Sequence, residues 1–520
     1  MSDTEVTIIR IDEKSDQVRL SDGRVTRMSL QSGKRSQKTG PSKNLRTDPL
    51  ARFNLILTNP DSYHLLDHIM MGTRPEGGSP GIYPRQLFSL IYALQNAFSS
   101  QSAISRALLF DSYLPLIKQR LQEALPTVAP DDQVRITNWI AAPKSPSASR
   151  ISRLFRGLKM RGINQSDLLL QQGVMLSLDD ERFSQRNTVY SSKNMMIGDG
   201  TALKAATSHT QGEVVDMYTG EIRQRHIDGV AQTHSEGGGE STHGTKFAII
   251  WSPGPNKHDT IALGAAYVNS PSPQIEASSA LKLTLEVQAR LIEQGASASL
   301  LAYDRAAGRK EQETLNGAGM VLATRATMDR TSDDSSHYRK PKFIGTTTPE
   351  CGHEQRFFAI LKRLHLAVTD VNGKSNYLPL QHNQRPKRQK NGRVFHYTEH
   401  PYTCWCSPGT NNMLRVAWNG RKSALSTSKD GIEIAGDEGY DNMLRYLQPH
   451  APDSEEFKEI YGLRQTAEAM HSIIDDMLPF KRLQRWSLES KEAWVFAYLI
   501  GHNLVYQQLR RQQTPDSAAG

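Results

Sequence analysis

Residues 300–310 read Leu300-Leu301-Ala302-Tyr303-Asp304-Arg305-Ala306-Ala307-Gly308-Arg309-Lys310. A short apolar run that stops at a charge has the length of a buried strand and is too brief for a helix. Ser299 to Tyr303 is therefore read as a strand ending at Asp304. Downstream, Gly308 to about Gly317 reads as a helix, and Met320 to Thr324 as another buried strand. Upstream, Pro271 to Gly295 places Ala280, Leu283, Val287 and Leu291 at helical spacing, with Gly295 as its C-terminal stop. Before that helix come Lys246 to Trp251 and Ile261 to Val268, separated by a turn at Ser252-Pro253-Gly254-Pro255, and earlier still Met195 to Gly198. The order β-β-β-α-β-α-β predicts a mixed α/β sheet.

Two acids fall at predicted strand ends. Asp199 follows Met195-Met196-Ile197-Gly198 and precedes Gly200-Thr201; Asp304 closes the strand quoted above. A carboxylate in that position is held rigidly, and small neighbours leave room beside it for a ligand. A third acid lies in Tyr461-Gly-Leu-Arg464-Gln-Thr-Ala-Glu468-Ala-Met-His471-Ser-Ile-Ile-Asp475. Asp453 and Glu456 have capping-box spacing just upstream. As one helix, this segment places Tyr461, Arg464, Glu468, His471 and Asp475 within an arc of about 80°. Leu463, Ala467, Met470, Ile473, Ile474 and Met477 fall on the opposite side.

In these three motifs the chain resembles a DDE transposase with a ribonuclease-H-like core, of the group typified by insertion sequence four. The family's first Asp follows its first strand, as Asp199 does; its second ends the fourth strand, as Asp304 does. Its third acid lies in a Tyr-Arg-Glu-Lys pattern that Tyr461, Arg464 and Glu468 match. The step to the family's lysine lands here on Asp475, which leaves Lys481 or Arg482 as the substitute. The resemblance covers about residues 190 to 325 and 450 to 510. It implies a ribonuclease-H-like mixed sheet with a β-rich insertion, and Asp199, Asp304 and Glu468 as ligands for two Mg2+ or Mn2+ ions. It also implies DNA contacts from Tyr461 and Arg464, with Lys481 as the candidate in place of the family's lysine. Arg305 and Arg309, just beyond Asp304, are phosphate candidates, with simply exposed helix-start arginines as the alternative. The implied activity is cleavage at transposon ends and strand transfer into target DNA. The implied assembly is a homodimer on double-stranded DNA in a bacterial cytoplasm, at the nucleoid. The competing readings are a transposase-derived DNA-binding protein without catalysis, and a ribonuclease-H-like nuclease that cuts without joining.

The rest of the chain fits around this core. With 520 residues and 58.1 kDa it is too long for one small core. Sixty-three Lys and Arg against 54 Asp and Glu give +9, a surplus that favours a polyanionic partner. Residues 1–50 read as a basic N-terminal segment, with a small hairpin around Ser21-Asp22-Gly23. Residues 51–185 read as a helical domain for binding DNA ends, including the arginine-bearing helix Ser145 to Leu158. Residues 186–330 form the first part of the core, 331–450 an inserted β-rich subdomain, and 451–520 the Glu468 helix, a C-terminal core helix and a tail.

Membrane spanning is not expected: Ala493 to Val505 is too short and holds His502 and Asn503. The N-terminus has no apolar signal region, and three cysteines suit a reducing compartment. Gly239 to Lys246 approaches a phosphate-binding loop, but its final Thr-Lys order is reversed and it leads into a strand. Cys351-Gly-His353 and Cys404-Trp-Cys406 offer zinc donors at unfavourably tight spacing, with free or buried thiols as the alternative. The resemblance implies an aromatic in the insertion that receives a flipped DNA base, for which Trp405 and Trp418 are the nearest candidates, with core packing as the alternative. The basic run Arg385 to Arg393 is read as following the DNA backbone or as a solvated charge run.

Overall fold

Met195, Ile197, Phe247, Ile249 and Trp251 alternate along two strands with Met196, Ala248 and Ile250, and all of them are buried. Successive side chains of a strand point to opposite faces, so such runs demand cover on both sides of a sheet. The computed structural model describes residues 17–19, 25–27, 48–67, 83–98, 100–158, 164–183, 194–210, 212–215, 221–224, 226–235, 241–254, 259–304, 307, 309–324, 341–348, 352–369, 373–381, 383–388, 394–403, 411–417, 425–427, 446–448, 450 and 454–513.

A short hairpin, β1 (Gln17–Arg19) and β2 (Val25–Arg27), precedes seven α-helices among the described residues. These are α1 (Pro49–Thr58), α2 (Arg85–Ala93), α3 (Gln101–Ala107), α4 (Leu114–Ala124), α5 (Pro130–Ala141), α6 (Ala148–Gly157) and α7 (Gln165–Asp179). The arginine-bearing helix starts at Ser147, whose hydroxyl accepts from the Arg150 N–H. Ile151, Phe155 and Leu158 face inward, Arg150 lies over the Tyr83 ring and Arg153 is exposed.

The central sheet follows. Its strands are β3 (Met195–Lys204), β6 (Gln232–Ser235), β7 (Ser241–Ser252), β8 (Ile261–Val268), β9 (Leu300–Ala302) and β10 (Val321–Ala323). A hairpin of β4 (Glu213–Val215) and β5 (Ile222–Gln224) branches from it. The order is β10-β9-β3-β7, with β8 and β6 pairing successive parts of β7. β10, β9 and β3 run parallel; β7 is antiparallel to β3 and to β8. Helices α8 (Pro273–Glu293) and α9 (Arg309–Gly317) connect the parallel strands. The predicted β-β-β-α-β-α-β order is present, within a mixed α/β sheet. One expectation changes: β3 does not end at Gly198 but runs on to Lys204, so Asp199 lies inside a strand. Partnering with β7 through Lys204 sustains the strand beyond the glycines.

Residues 342–427 hold two four-stranded antiparallel sheets. The first is β11 (Lys342–Thr347), β12 (Gln355–Ile360), β13 (Arg363–Thr369) and β14 (Ser375–Pro379). The second is β15 (Asn383–Arg388), β16 (Val394–Thr403), β17 (Asn411–Ala417) and β18 (Leu425–Thr427). Phe357, Leu364, Leu366, Tyr402, Leu414 and Val416 form a separate core between them.

Three helices close the fold: α10 (Glu455–Gly462), α11 (Arg464–Met477) and α12 (Leu488–Gln513). α10 is capped by Ser454, whose hydroxyl accepts from the Phe457 N–H; Asp453, of the expected Asp453–Glu456 box, lies outside the described residues. The continuous helix expected through Tyr461 is interrupted at Leu463. α12 packs against α1, α2, α6, α7 and β8. Asn503 on α12 accepts from the Ala262 N–H and donates to the Ala262 carbonyl, pairing a side chain with the edge of β8. Asn59 and Asn96 donate to the Leu504 and Tyr498 carbonyls, fastening the N-terminal helices to the same helix. Among the described residues no helix is long and apolar enough to cross a membrane.

Tyr506 on α12 donates to Asp180 at 2.5 Å. Burial pushes its hydroxyl up to about 12; Arg182 opposes the rise and Asp180 adds to it. An unfolded tyrosine titrates near 10.0. Above that pH the unfolded chain sheds a proton that the folded chain keeps, so stability falls as pH rises through the interval. Thermal melts from pH 9 to 12 are expected to show this loss, and Tyr506→Phe to flatten it.

Candidate metal centre

β9 pairs with β3 in parallel register, Leu300 opposite Met195 and Ala302 opposite Ile197. Asp199 lies two residues past Ile197 on β3, and Asp304 two residues past Ala302, the last residue of β9. β9 stops at Ala302 while β3 continues, so the flank of β3 at Asp199 carries no strand and is open to side chains.

The third carboxylate comes from the opposite layer. Glu276 stands in the first turn of α8 and is 4% exposed. Asp199, Glu276 and Asp304 each offer a carboxylate oxygen, and the three oxygens lie within 4.8 Å of one another. Gly200 makes this possible. A Cβ there would collide with the Glu276 carboxyl and come within 2.7 Å of Lys246 Cε. Gly198 does the same for Tyr303, whose ring edge would lie 2.7 Å from an added Cβ. The Gly-Asp-Gly sequence is thus a pair of openings on either side of the aspartate.

Each acid is held by partners. Lys246 on β7 pairs with Glu276 at 2.5 Å, and the Tyr303 hydroxyl donates to Glu276 at 3.0 Å. Arg464, at the start of α11, donates to Asp199 at 3.3 Å and to Glu468 at 2.6 Å. Its Nε also donates to the Tyr461 hydroxyl at 3.2 Å. His471 Nδ1 lies 3.6 Å from Asp199, an electrostatic contact longer than a hydrogen bond. Burial opposes ionisation of Asp199 most strongly. The His471 ring, the Arg464 guanidinium and the Gly200 N–H together outweigh it and hold the carboxyl below the ordinary aspartate range. Burial, reinforced by Glu276, Asp304 and Asp199, pushes the Tyr303 hydroxyl far above its usual range, so it remains a donor.

Comparison with known protein families, characterised proteins and solved structures finds no match to this chain. The site is therefore read from its geometry and chemistry.

Of the residues singled out in the sequence, Asp199 and Asp304 converge. Glu468 is linked to Asp199 through one guanidinium, but its side chain is 52% exposed and it lies outside the three-oxygen cluster. Tyr461 is buried, stacked on Phe457, with its hydroxyl facing Arg464. Lys481 follows α11 and pairs with Asp476 at 3.1 Å. Arg309 opens α9. Arg305, Cys351, Cys404, Cys406, Trp405 and Trp418 lie outside the described residues. Glu276, Lys246 and Tyr303 were not anticipated. A glutamate in a first helical turn ordinarily just complements the helix dipole, and the only sequence sign of its role is Gly200.

Three carboxylates form a hard, all-oxygen donor set suited to Mg2+ or Mn2+. The open flank of β3 and the space kept by Gly200 fit such an ion. Gly200→Ala forces the Glu276 carboxyl and Lys246 to move. Calorimetric titration with Mn2+ is expected to show affinity reduced by about 10- to 100-fold.

Proposed function

We propose that this protein is a DNA transposase of the DDE type, cleaving phosphodiester bonds at element ends and transferring the strand into target DNA. The observation that carries this reading is the convergence of the Asp199 and Asp304 carboxylates, beside a helix whose Arg464 bonds both Asp199 and Glu468. The sheet order, with the first acid on its first long strand and the second just after β9, supports a ribonuclease-H-like arrangement. The basic surplus supports a polyanionic substrate.

Asp199, Asp304 and Glu276 would hold the metal, with Glu468 beside them as the acid the family resemblance assigns. An ion held there would supply activation of water or a 3′-hydroxyl and stabilisation of the leaving oxygen. Arg464 fixes Asp199 and Glu468 in one orientation. Lys246 and Tyr303 fix Glu276. Two ends processed together call for a homodimer, and residues 51–185 are the module proposed to hold the end sequences.

The test incubates the purified chain with duplexes carrying the ends of its own element, plus Mg2+ or Mn2+. Nicked ends followed by joined products are expected. No cleavage with either ion would overturn the reading. Cleavage without joining would favour the nuclease alternative, for which the place of Glu276 inside the cluster is the specific support.

A further inference from the structure

Residues 479–486, Pro479-Phe480-Lys481-Arg482-Leu483-Gln484-Arg485-Trp486, link the Glu468 helix to α12, and apart from the DNA contact the resemblance implies for Lys481 or Arg482 they have no role in the site described above. The Phe480 side chain is fully turned out: the residue is 91% exposed, the most exposed of the large apolar residues described. Phe480 and Lys481 both have positive φ, 54° and 55°. Left-handed backbone disfavours residues with a Cβ, and the other adjacent pair of this kind, Leu361 and Lys362, forms the tight turn between β12 and β13. No hairpin requires it at 480–481. There the conformation is imposed by anchors on both sides. Leu478 and Leu483 are buried, the Leu483 N–H donates to the Lys204 carbonyl, and Arg482 donates to the Ala205 carbonyl. The result is an aromatic ring held in solvent by a clamped loop, where glycine would sit without strain.

The charges within the segment are all positive, and Lys481 is paired outside it with Asp476 at 3.1 Å. The segment carries Lys481, Arg482 and Arg485 and no acid. Burial lowers the Arg485 pKa, and its Nη2 is buried without a hydrogen-bond partner. Trp486, 41% exposed, stacks on His226 at 3.9 Å and 11°. Cations interleaved with exposed aromatic faces are what an unpaired nucleic-acid strand requires: phosphates meet the cations and bases stack on the rings. The loop is joined to the end of β3 at Lys204, five residues beyond Asp199. That is about 17 Å along a strand, or roughly five phosphate steps of one DNA strand.

We propose that residues 479–486 form a platform for unpaired DNA reached from the metal centre along β3, with Phe480 and Trp486 stacking on bases and Lys481 exchanging Asp476 for a phosphate. The platform rests on the transposase reading for its place in a reaction, but its binding is measurable separately. It would hold the single strand that lies a few nucleotides from the scissile bond.

The test measures affinity of the full chain for a fluorescent oligothymidine, without metal, by anisotropy. Phe480→Ala with Trp486→Ala is expected to weaken binding by roughly 10- to 100-fold. Phe480→Gly separates stacking from structure: it relieves the backbone, so the melting temperature holds or rises while affinity falls. Phe480→Trp is expected to restore affinity. Equal affinity of wild type and the double variant would overturn the platform, and so would an altered oligomeric state with unchanged DNA affinity, which would mark Phe480 as a contact between copies. Metal-dependent duplex cleavage measured on the same preparations separates the two proposals. Cleavage retained with aromatic-independent strand binding sinks only the platform. Aromatic-dependent strand binding without wild-type cleavage sinks only the catalytic reading.

Discussion

Asp304→Asn is expected to lower metal-dependent cleavage by about 10³-fold or more, equivalent to roughly 4 kcal/mol of transition-state stabilisation, with duplex binding and melting temperature unchanged. The substitution keeps shape and removes the charge that a divalent ion requires. Its carboxylate lies in one cluster with those of Asp199 and Glu276, so its charge has no ready replacement. Glu468→Gln and Glu276→Gln then divide the remaining work. Glu468 is half exposed and bonded to Arg464, so its loss leaves the fold intact, and any fall in cleavage reports chemistry. Glu276 is buried against Lys246, so its neutralisation weakens Mn2+ binding and lowers the melting temperature together. Cleavage assays, calorimetry and thermal melts on the three variants check these outcomes. Full activity of Asp304→Asn would remove the catalytic assignment.

Lys491→Met is expected to destabilise the chain by about 3–5 kcal/mol. Lys491 on α12 is buried and donates to both oxygens of Asp228 at 2.7 and 2.8 Å and to Thr245 Oγ at 2.7 Å. Its methylene stem lies in the core, and burial lowers its pKa against the pull of Asp228. Removing only the cation strands a buried carboxylate, which is the costly half of such a change. Combining Lys491→Met with Asp228→Leu removes both charges, and much of the stability is expected to return. Urea unfolding of wild type, single and double variants measures it. A single variant as stable as wild type would show that the pair contributes nothing net.

Much of the central sheet was legible because its strands are bounded by glycine, proline and charge, and because Met195–Gly198, Lys246–Trp251 and Leu300–Tyr303 are apolar on both faces. The full length of β3 was not. Gly198, Asp199 and Gly200 look like a strand end, and only pairing with β7 carries the strand onward. Asp199 and Asp304 were legible as rigid acids, yet their closeness depends on register, which no single strand encodes. Glu276 was invisible for a related reason: it reaches the site from the other layer through a gap that exists only once sheet and helix are stacked. The break at Leu463 likewise has no breaker residue at its own position, although Gly462 precedes it.

One more consequence follows from α12. Its partners, the N-terminal helices and the sheet edge at Ala262, all precede it in the chain. As synthesis proceeds from the amino end, those surfaces emerge from the ribosome before the helix that covers them. Ala93 and Asn96, where an added Cβ on Gly501 would meet backbone and side chain, therefore wait for a partner some four hundred residues away. A nascent chain cut short by a premature stop would present bare apolar surface to chaperones and proteases.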